Sequence, residues 1–243
     1  MIYGDLHLHS VYSNSYLRNL PPWVASTPAE ILAKAKERGL KVVAITDHDT
    51  LKGSQEAQKL AKKLALIVVP ACEITSKDGH ILAYGIEKEI SKKLSAWETI
   101  EKIHEQGGLA VAAHPFRARP PIFNGIGLGK LIYKLPLDGV ETCHAGMSKQ
   151  VNQQAVEAVE EKKLNLAKLG SSDAHTLDFI GFGVTVFNDQ VKTVDDVLEA
   201  IRKRQTEARV VKYEPFWQKY LFSFRDQFNF FQRNFILPLF PSR

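Results

Sequence analysis

Cysteine is nearly missing from this chain. Cys72 and Cys143 are the only two in 243 residues, too few for a disulfide framework. No window reaches the roughly 18 uninterrupted apolar residues of a transmembrane helix. The amino terminus has neither the basic start nor the apolar stretch of a secretory leader. These absences favour a reduced, cytoplasmic protein. Internal repeats and low-complexity tracts are missing as well.

What is present is ordinary for a soluble globular protein: 44% hydrophobic and 24% charged residues. The length suits one large α/β domain or two small ones. A net charge of +5 would suit an anionic substrate or a nucleic-acid end, although lysines on exposed helix faces account for most of it.

Short apolar runs alternate with longer amphipathic stretches. The runs are "MIYGDL", "KVVAITD", "LALIVVPACE", "HILAYGI", "GLAVAAHP", "DGVETCH", "LAKLGSSDAH" and "GFGVTVF". Most are β-branched and bounded by Gly, Asp or Pro, as buried strands are. Between them, "STPAEILAKAKERG" offers Thr27 as N-cap, Pro28 at the first helical position and Gly39 past the end. "SAWETIEKIHEQGG" has Ser95 and Glu98 spaced as a capping box. "KQVNQQAVEAVEEKK" and "TVDDVLEAIRKRQ" also predict helices, the second with Thr193 and Asp196 in its first turn. Repeated βα units predict an α/β domain over 1–210, with a mostly parallel sheet forming a closed or nearly closed barrel. The tail, 211–243, differs. It holds eight of the chain's thirteen phenylalanines, and Phe224, Phe228, Phe231 and Phe235 fall at helical spacing. It predicts a helix that packs on the domain, or else a dimer or membrane-surface contact through 213–243.

The first strand run ends in His7 and His9. Residues i and i+2 of a strand share a face, so two imidazoles project side by side, with Asp5 just before them. Alone, an H-x-H is weak support for a metal site. The other strand edges add to it. "KVVAIT" is followed by Asp47, His48 and Asp49; "LALIVVPAC" ends in Glu73; "DGHILAYG" carries His80; "GLAVAA" ends in His114. "DGVETC" contains Glu141 and ends at His144, and "LAKLGSS" leads to Asp173 and His175. Seven of the eight histidines therefore sit at strand edges, and only His104 falls in a predicted helix. In a parallel barrel the carboxyl ends of the strands meet on one rim. So many polar groups there need compensation, which divalent cations supply. Many His with bridging-capable carboxylates and no Cys pair suit two or three ions of Mn, Zn or Fe.

These motifs resemble a known family. "DLHLHS", "AITDHDT", the isolated Glu73, "AAHP" and "SSDAH" look like those of the PHP (polymerase and histidinol phosphatase) superfamily, over residues 1 to roughly 205. "TDHDT" followed closely by "CEIT" is most similar to its stand-alone metal-dependent phosphoesterase branch; 243 residues leave no room for an attached polymerase. The resemblance implies a distorted (β/α)7 TIM-like barrel and a set of ligands. His7, His9, Glu73 and Asp173 match one metal; Glu73 bridges to a second held by His80 and His114; His48 and His175 match a third. Where many relatives carry an aspartate, this chain has Asn14, which puts the third metal in doubt. The implied reaction is hydrolysis of a phosphoester by a metal-bound hydroxide. Arg117 is either a phosphate contact or an exposed loop arginine, and the stretch 115–138 forms a rim loop where Arg119 and Lys130 also face phosphates. His144 contacts the phosphate, protonates the leaving oxygen or orients a neighbour, and Asp173 helps the attacking water besides ligating. Asp5, Asp47 and Asp49 are expected to orient the histidines from behind.

Three functions follow. The first is a phosphoesterase acting on a small phosphomonoester, a nucleotide or an oligonucleotide end. The second is an amidohydrolase-like metal hydrolase, disfavoured by the full motif set. The third is a metal-binding scaffold acting through its aromatic tail.

Overall fold

The computed structural model describes residues 1–16, 24, 26–117 and 127–214, with backbone only at 14–16. The expectations for Arg119, for the Asn14 side chain and for the tail beyond Glu214 lie outside these residues.

Ten strands and five α-helices are described. The strands are β1 Ile2–Leu8, β2 Val42–Ile45, β3 Ile67–Val68, β4 Ala71–Thr75, β5 His80–Tyr84, β6 Leu109–Ala112, β7 Gly139–His144, β8 Ala167–Ser171, β9 Gly183–Phe187 and β10 Glu207–Val210. The helices are α1 Pro28–Glu37, α2 Lys52–Leu64, α3 Ala96–His104, α4 Lys149–Glu161 and α5 Val194–Arg202. Thr27, Ser95 and Thr193 each cap a helix through a reciprocal box with Glu30, Glu98 and Asp196. Each box satisfies two otherwise orphaned donors, so these starts are fixed locally. The sequence reading passed over α2, because Leu51 precedes it with no side-chain cap. It also passed over β10, which has no turn signal before it.

The strands form two five-stranded sheets, ordered β10-β9-β1-β2-β3 and β4-β5-β6-β7-β8. The expected mostly parallel sheet is corrected: four strand pairs are parallel and four antiparallel. The connections explain this. β4 and β5 are joined by a turn in which Ser76 Oγ donates to the Gly79 carbonyl, and so short a link permits only antiparallel pairing. The run "LALIVVPACE" is not one strand. Pro70 interrupts it, and its halves fall in different sheets.

Neither sheet closes on itself, and the two meet along two seams. At one seam the ladder is replaced by a side chain: Thr185 Oγ1 accepts the Gly170 N–H at 3.0 Å and donates to the Gly170 carbonyl at 2.9 Å. At the other, an isolated bridge joins His48 to Glu73. The inner faces share one core, in which Leu6, Val42 and Phe187 of the first sheet meet Leu82, Val111 and Leu169 of the second, with Val197 and Ile201 of α5 below. α1 and α2 cover the outside of the first sheet; α3 and α4 cover the second.

At the Gly170–Thr185 seam β8 and β9 approach so closely that a Cβ on Gly183 would collide with the Ser171 backbone. Gly183→Ala must push β9 away from β8. The expected cost is about 3 kcal/mol, a fall in Tm of roughly 6–12 °C. An unchanged melting temperature would show that this seam is not tightly packed.

Candidate metal centre

Apart from Glu73, each polar side chain arrives from a strand end or the turn beyond it. β1 delivers His7 and His9, with ring centroids 5.1 Å apart, as the i, i+2 spacing predicts. A register shift between Asp5 and Leu8 helps. Leu6 faces the shared core, whereas Leu8 packs with the α1 and α2 side chains. Such a bulge re-aims side chains at a site. His48 follows β2, Glu73 lies within β4, and His80 opens β5, opposite Thr75 in the hairpin. β6 leads to His114, β7 ends in His144, and β8 leads to Asp173 and His175. Asp49, His114 and Asp173 have φ of +56°, +28° and +53°, a region that L residues avoid and that clusters at functional sites.

All eight residues expected as ligands come together around Glu73 and Asp173. Glu73 Oε2 lies 3.3 Å from His7 Nε2, 3.3 Å from His9 Nε2 and 3.1 Å from His48 Nδ1. Its other oxygen, Oε1, lies 2.8 Å from His80 Nδ1 and 3.1 Å from His114 Nε2. Asp173 Oδ1 lies 3.4, 3.0 and 3.6 Å from His7 Nε2, His9 Nε2 and His175 Nδ1. Its Oδ2 accepts from Arg117 Nη1 at 3.1 Å and faces His144 Nε2 at 3.4 Å. Lys130 stands apart in sequence, on the 3-10 turn Gly129–Tyr133.

Proton placement shows what this centre fits. Glu141 accepts the His7 Nδ1 proton at 3.0 Å. Ser13 Oγ donates to Asp47 at 2.7 Å, so the His9 Nδ1 beside it at 2.9 Å must be a donor. In neutral rings both Nε2 atoms then carry lone pairs, and they face each other at 3.2 Å. Glu73 Oε2 is buried beside them without an aligned hydrogen bond. Two imidazole lone pairs and two carboxylate oxygens converging on one point are a cation's ligand set. The close groupings His7–His9–Asp173, His7–Glu73–His114, His48–Glu73–His80 and His9–His48–His175 have donor atoms near enough to share an ion.

The electrostatics agree. Burial opposes charge on His7, but Glu141, Glu73 and Asp173 outweigh it and hold the ring well above its usual range. Burial likewise opposes charge on His9, yet Asp173 and Glu73 raise it to about 9. Burial would raise Glu73 and Asp173, but the surrounding imidazoles keep both ionised, well below the usual carboxylate range. Burial pushes His114 down to about 4 and His48 well below its ordinary value, so both stay neutral. A cation entering this centre displaces protons from His7 and His9 and finds the other two already vacant.

The supporting carboxylates differ from the expectation. Asp47 reaches His9 only through Ser13. Asp5 holds the Ser172 backbone and hydroxyl at 3.1 and 2.6 Å, which anchors the turn bearing Asp173. Asp49 accepts the Thr75 N–H at 2.8 Å. Asp5 and Asp49 thus secure backbone rather than rings. Glu141, noted in the sequence but given no role, is the residue that touches His7 directly.

A buried histidine–carboxylate centre at converging strand ends has the ligand set of a divalent-cation site. The chain belongs to the PHP domain family: the model for the PHP domain matches residues 5–118, and that for the PHP-associated region matches 149–206. It is similar to an uncharacterized protein of Methanocaldococcus jannaschii, 44% identical over 144 residues, 58% of this chain and 81% of that one. It is 32% identical over 90 residues to the phosphoribosyl 1,2-cyclic phosphate 1,2-diphosphodiesterase of Eggerthella lenta, and this stretch spans 35% of this chain and 31% of that enzyme. Among solved structures, a two-domain protein of Bacteroides vulgatus, described as containing a predicted PHP-like metal-dependent phosphoesterase, superposes with a TM-score of 0.69. It is 18% identical, and the match covers 86% of this chain and 64% of that one; at that identity the likeness is one of fold. No helix among the described residues is long and apolar enough to cross a membrane.

A histidine held above its ordinary pKa stabilises the fold below that ordinary value, and the contribution is lost as pH rises through the raised one. His9 moves from 6.5 to about 9. The metal-free protein should therefore lose stability across that window, and added divalent cation should restore more of it as the protons leave. Melting curves in chelator and in Mn2+ across the window test this. A metal-induced rise in Tm that stays flat or shrinks towards the alkaline end would contradict proton–metal exchange.

Proposed function

We propose that this chain is a phosphoesterase that uses divalent cations to hydrolyse a phosphomonoester or a nucleotide or oligonucleotide phosphate. The observation that carries the reading is Glu73: one oxygen faces His7, His9 and His48, the other faces His80 and His114. A carboxylate so shared is suited to bridging two ions. In this reading His7, His9, Glu73 and Asp173 hold the first ion, Glu73, His80 and His114 the second, and His48 with His175 a third. Mn, Zn and Fe all fit such ligands. When bound, the ions supply an activated water and neutralise the non-bridging oxygens of the phosphate.

The chain's own groups do the rest. The Arg117 guanidinium, half-exposed and paired with Asp173 Oδ2, has the forked geometry to take two phosphate oxygens. His144 Nδ1 accepts the Gly146 N–H at 3.1 Å, so its Nε2 carries the proton of the neutral ring. That Nε2 is buried without an aligned partner. It is placed to donate to a phosphate oxygen or a leaving oxygen. Asp173 is placed to receive a proton from the attacking water. The phosphodiesterase relative in Eggerthella lenta and the basic charge of the chain support a phosphorylated substrate. A distorted (β/α)7 barrel is the overall shape in this reading, supported by the two sheets meeting along both seams. The domain is 1–210, and the aromatic tail, 211–243, is an accessory for a second copy or a membrane surface. The setting is cytoplasmic, supported by Cys72 and Cys143 both standing free.

Phosphate release by Mn-reconstituted protein is the test, with histidinol phosphate, nucleoside monophosphates, 3′,5′-bisphosphates and 5′-phosphorylated oligonucleotides as the panel. Asp173→Ala is expected to abolish release, a loss of about a thousandfold or more, while the protein stays folded. Full activity in folded Asp173→Ala would refute the role given to Asp173, and no release from any substrate by metal-loaded wild type would favour amide hydrolysis or scaffolding. Removal of 215–243 should leave phosphate release intact; a protein that no longer folds without it makes the tail part of the core.

A further inference from the structure

Among the described carboxylates buried at the centre, Glu141 is left without a task by this reaction scheme. It is 1% exposed, lies on β7 of the second sheet, and reaches His7 on β1 of the first. We infer that Glu141 is a positioning residue common to both ligand groups of Glu73, so that the two groups take up cations as a coupled pair. The inference rests on the metal reading above and deepens it.

Three contacts carry it. Glu141 Oε1 accepts from His7 Nδ1 at 3.0 Å and also from the Ser171 hydroxyl. Its Oε2 accepts the backbone N–H of His114 at 2.6 Å. A carboxylate can only accept, so the first contact obliges His7 to keep its proton on Nδ1 and to present Nε2 to Glu73 and Asp173. The third contact acts on backbone. His114 sits at φ +28°, a conformation that needs outside support, and a charged acceptor on its N–H provides it. From that backbone His114 Nε2 reaches Glu73 Oε1 at 3.1 Å. One carboxylate thus fixes a ring in the group at Glu73 Oε2 and a backbone in the group at Oε1.

No neutral side chain could take this place: an amide offers one accepting oxygen and one donating nitrogen, whereas donors face both oxygens here. The charge, held away from water, is costly unless it is compensated. The other supports reach no ligand at Glu73 Oε1: Asp47 holds His9 and the His48 backbone through Ser13, and Asp5 holds the turn bearing Asp173. β7 also has a register shift between Glu141 and Cys143. This extra residue lets both Glu141 and His144 point towards the centre, where strict alternation would turn one of them away.

The test is cation binding rather than turnover. In calorimetric titrations with Mn2+, Glu141→Gln should weaken both classes of site together, by about 10–100-fold, and occupancy should return at saturating metal. Ser13→Ala, which takes support from the His9 ring and the His48 backbone, both in the group at Glu73 Oε2, should weaken one class. Nitrogen-15 spectra of the zinc-loaded wild type should show His7 protonated at Nδ1, and Glu141→Gln should lose that single tautomer. If Glu141→Gln does not fold, Glu141→Asp replaces it with the same expectation, since the shorter side chain cannot reach His7 and His114 together. Wild-type affinity in the folded variant, weakening of one class alone, or His7 protonated at Nε2 in the zinc-loaded wild type would each overturn the proposal. Coupled loss of binding in a protein that releases no phosphate from any substrate would leave it standing and remove only the phosphoesterase reading.

Discussion

A carboxylate removed from water has to be compensated where it lies, and here two of them, Glu73 and Asp173, lie side by side at the convergence of the strands. Each is at most 3% exposed, and among the described residues their ion pairs are with histidines and Arg117. Imidazoles do the compensating, helped by one guanidinium. Imidazole differs from lysine or arginine in that its positive charge can leave as a proton and be replaced by a metal. The arrangement of the molecule follows from that requirement. Six strand ends must bring a nitrogen or oxygen within about 3 Å of a common point, to the precision of a hydrogen bond.

Regular strands would not achieve this. A register shift in β7 lets Glu141 and His144, three positions apart, both face the centre, and left-handed backbone occurs at Asp49, His114 and Asp173. These irregularities cost conformational energy. They are held by ordinary groups nearby: Asp5 on the Ser172 turn, Asp49 on Thr75, Thr185 on the Gly170 backbone. The packing beneath supplies the rigidity, with side chains of both sheets meeting in one core.

Much of this was legible in the sequence because it is local. Thr27, Ser95 and Thr193 announce their helices with boxes that close within four residues, and His7 and His9 share a face by strand geometry alone. Polar residues at apolar run ends marked the centre before any pairing was known. What was hidden is non-local or irregular. α2 has no capping residue to announce it, and Pro70 divides a run that looks continuous. Strand direction depends on the length of the connection, which put β5 antiparallel to both of its neighbours. Glu141 had no visible role because its partners, His7, His114 and Ser171, come from three other strands. Asp47 was read as touching a histidine ring, when a serine stands between them.

The hairpin that joins β4 to β5 gives the centre two different histories within one folding chain. Glu73 and His80 are seven positions apart, so a small loop closure is enough to bring them together. His7 and Glu141 are 134 positions apart, and Asp5 and Ser172 are 167 apart. Such contacts wait for the first strand of the chain to find the late ones, which is the slow part of assembling a fold rich in distant pairings. The half of the centre around Glu73 Oε1 is therefore within reach of a partly made chain, and the half built on His7 and Asp173 is a signature of completion. An ion that needs both halves is retained only by molecules that have finished folding.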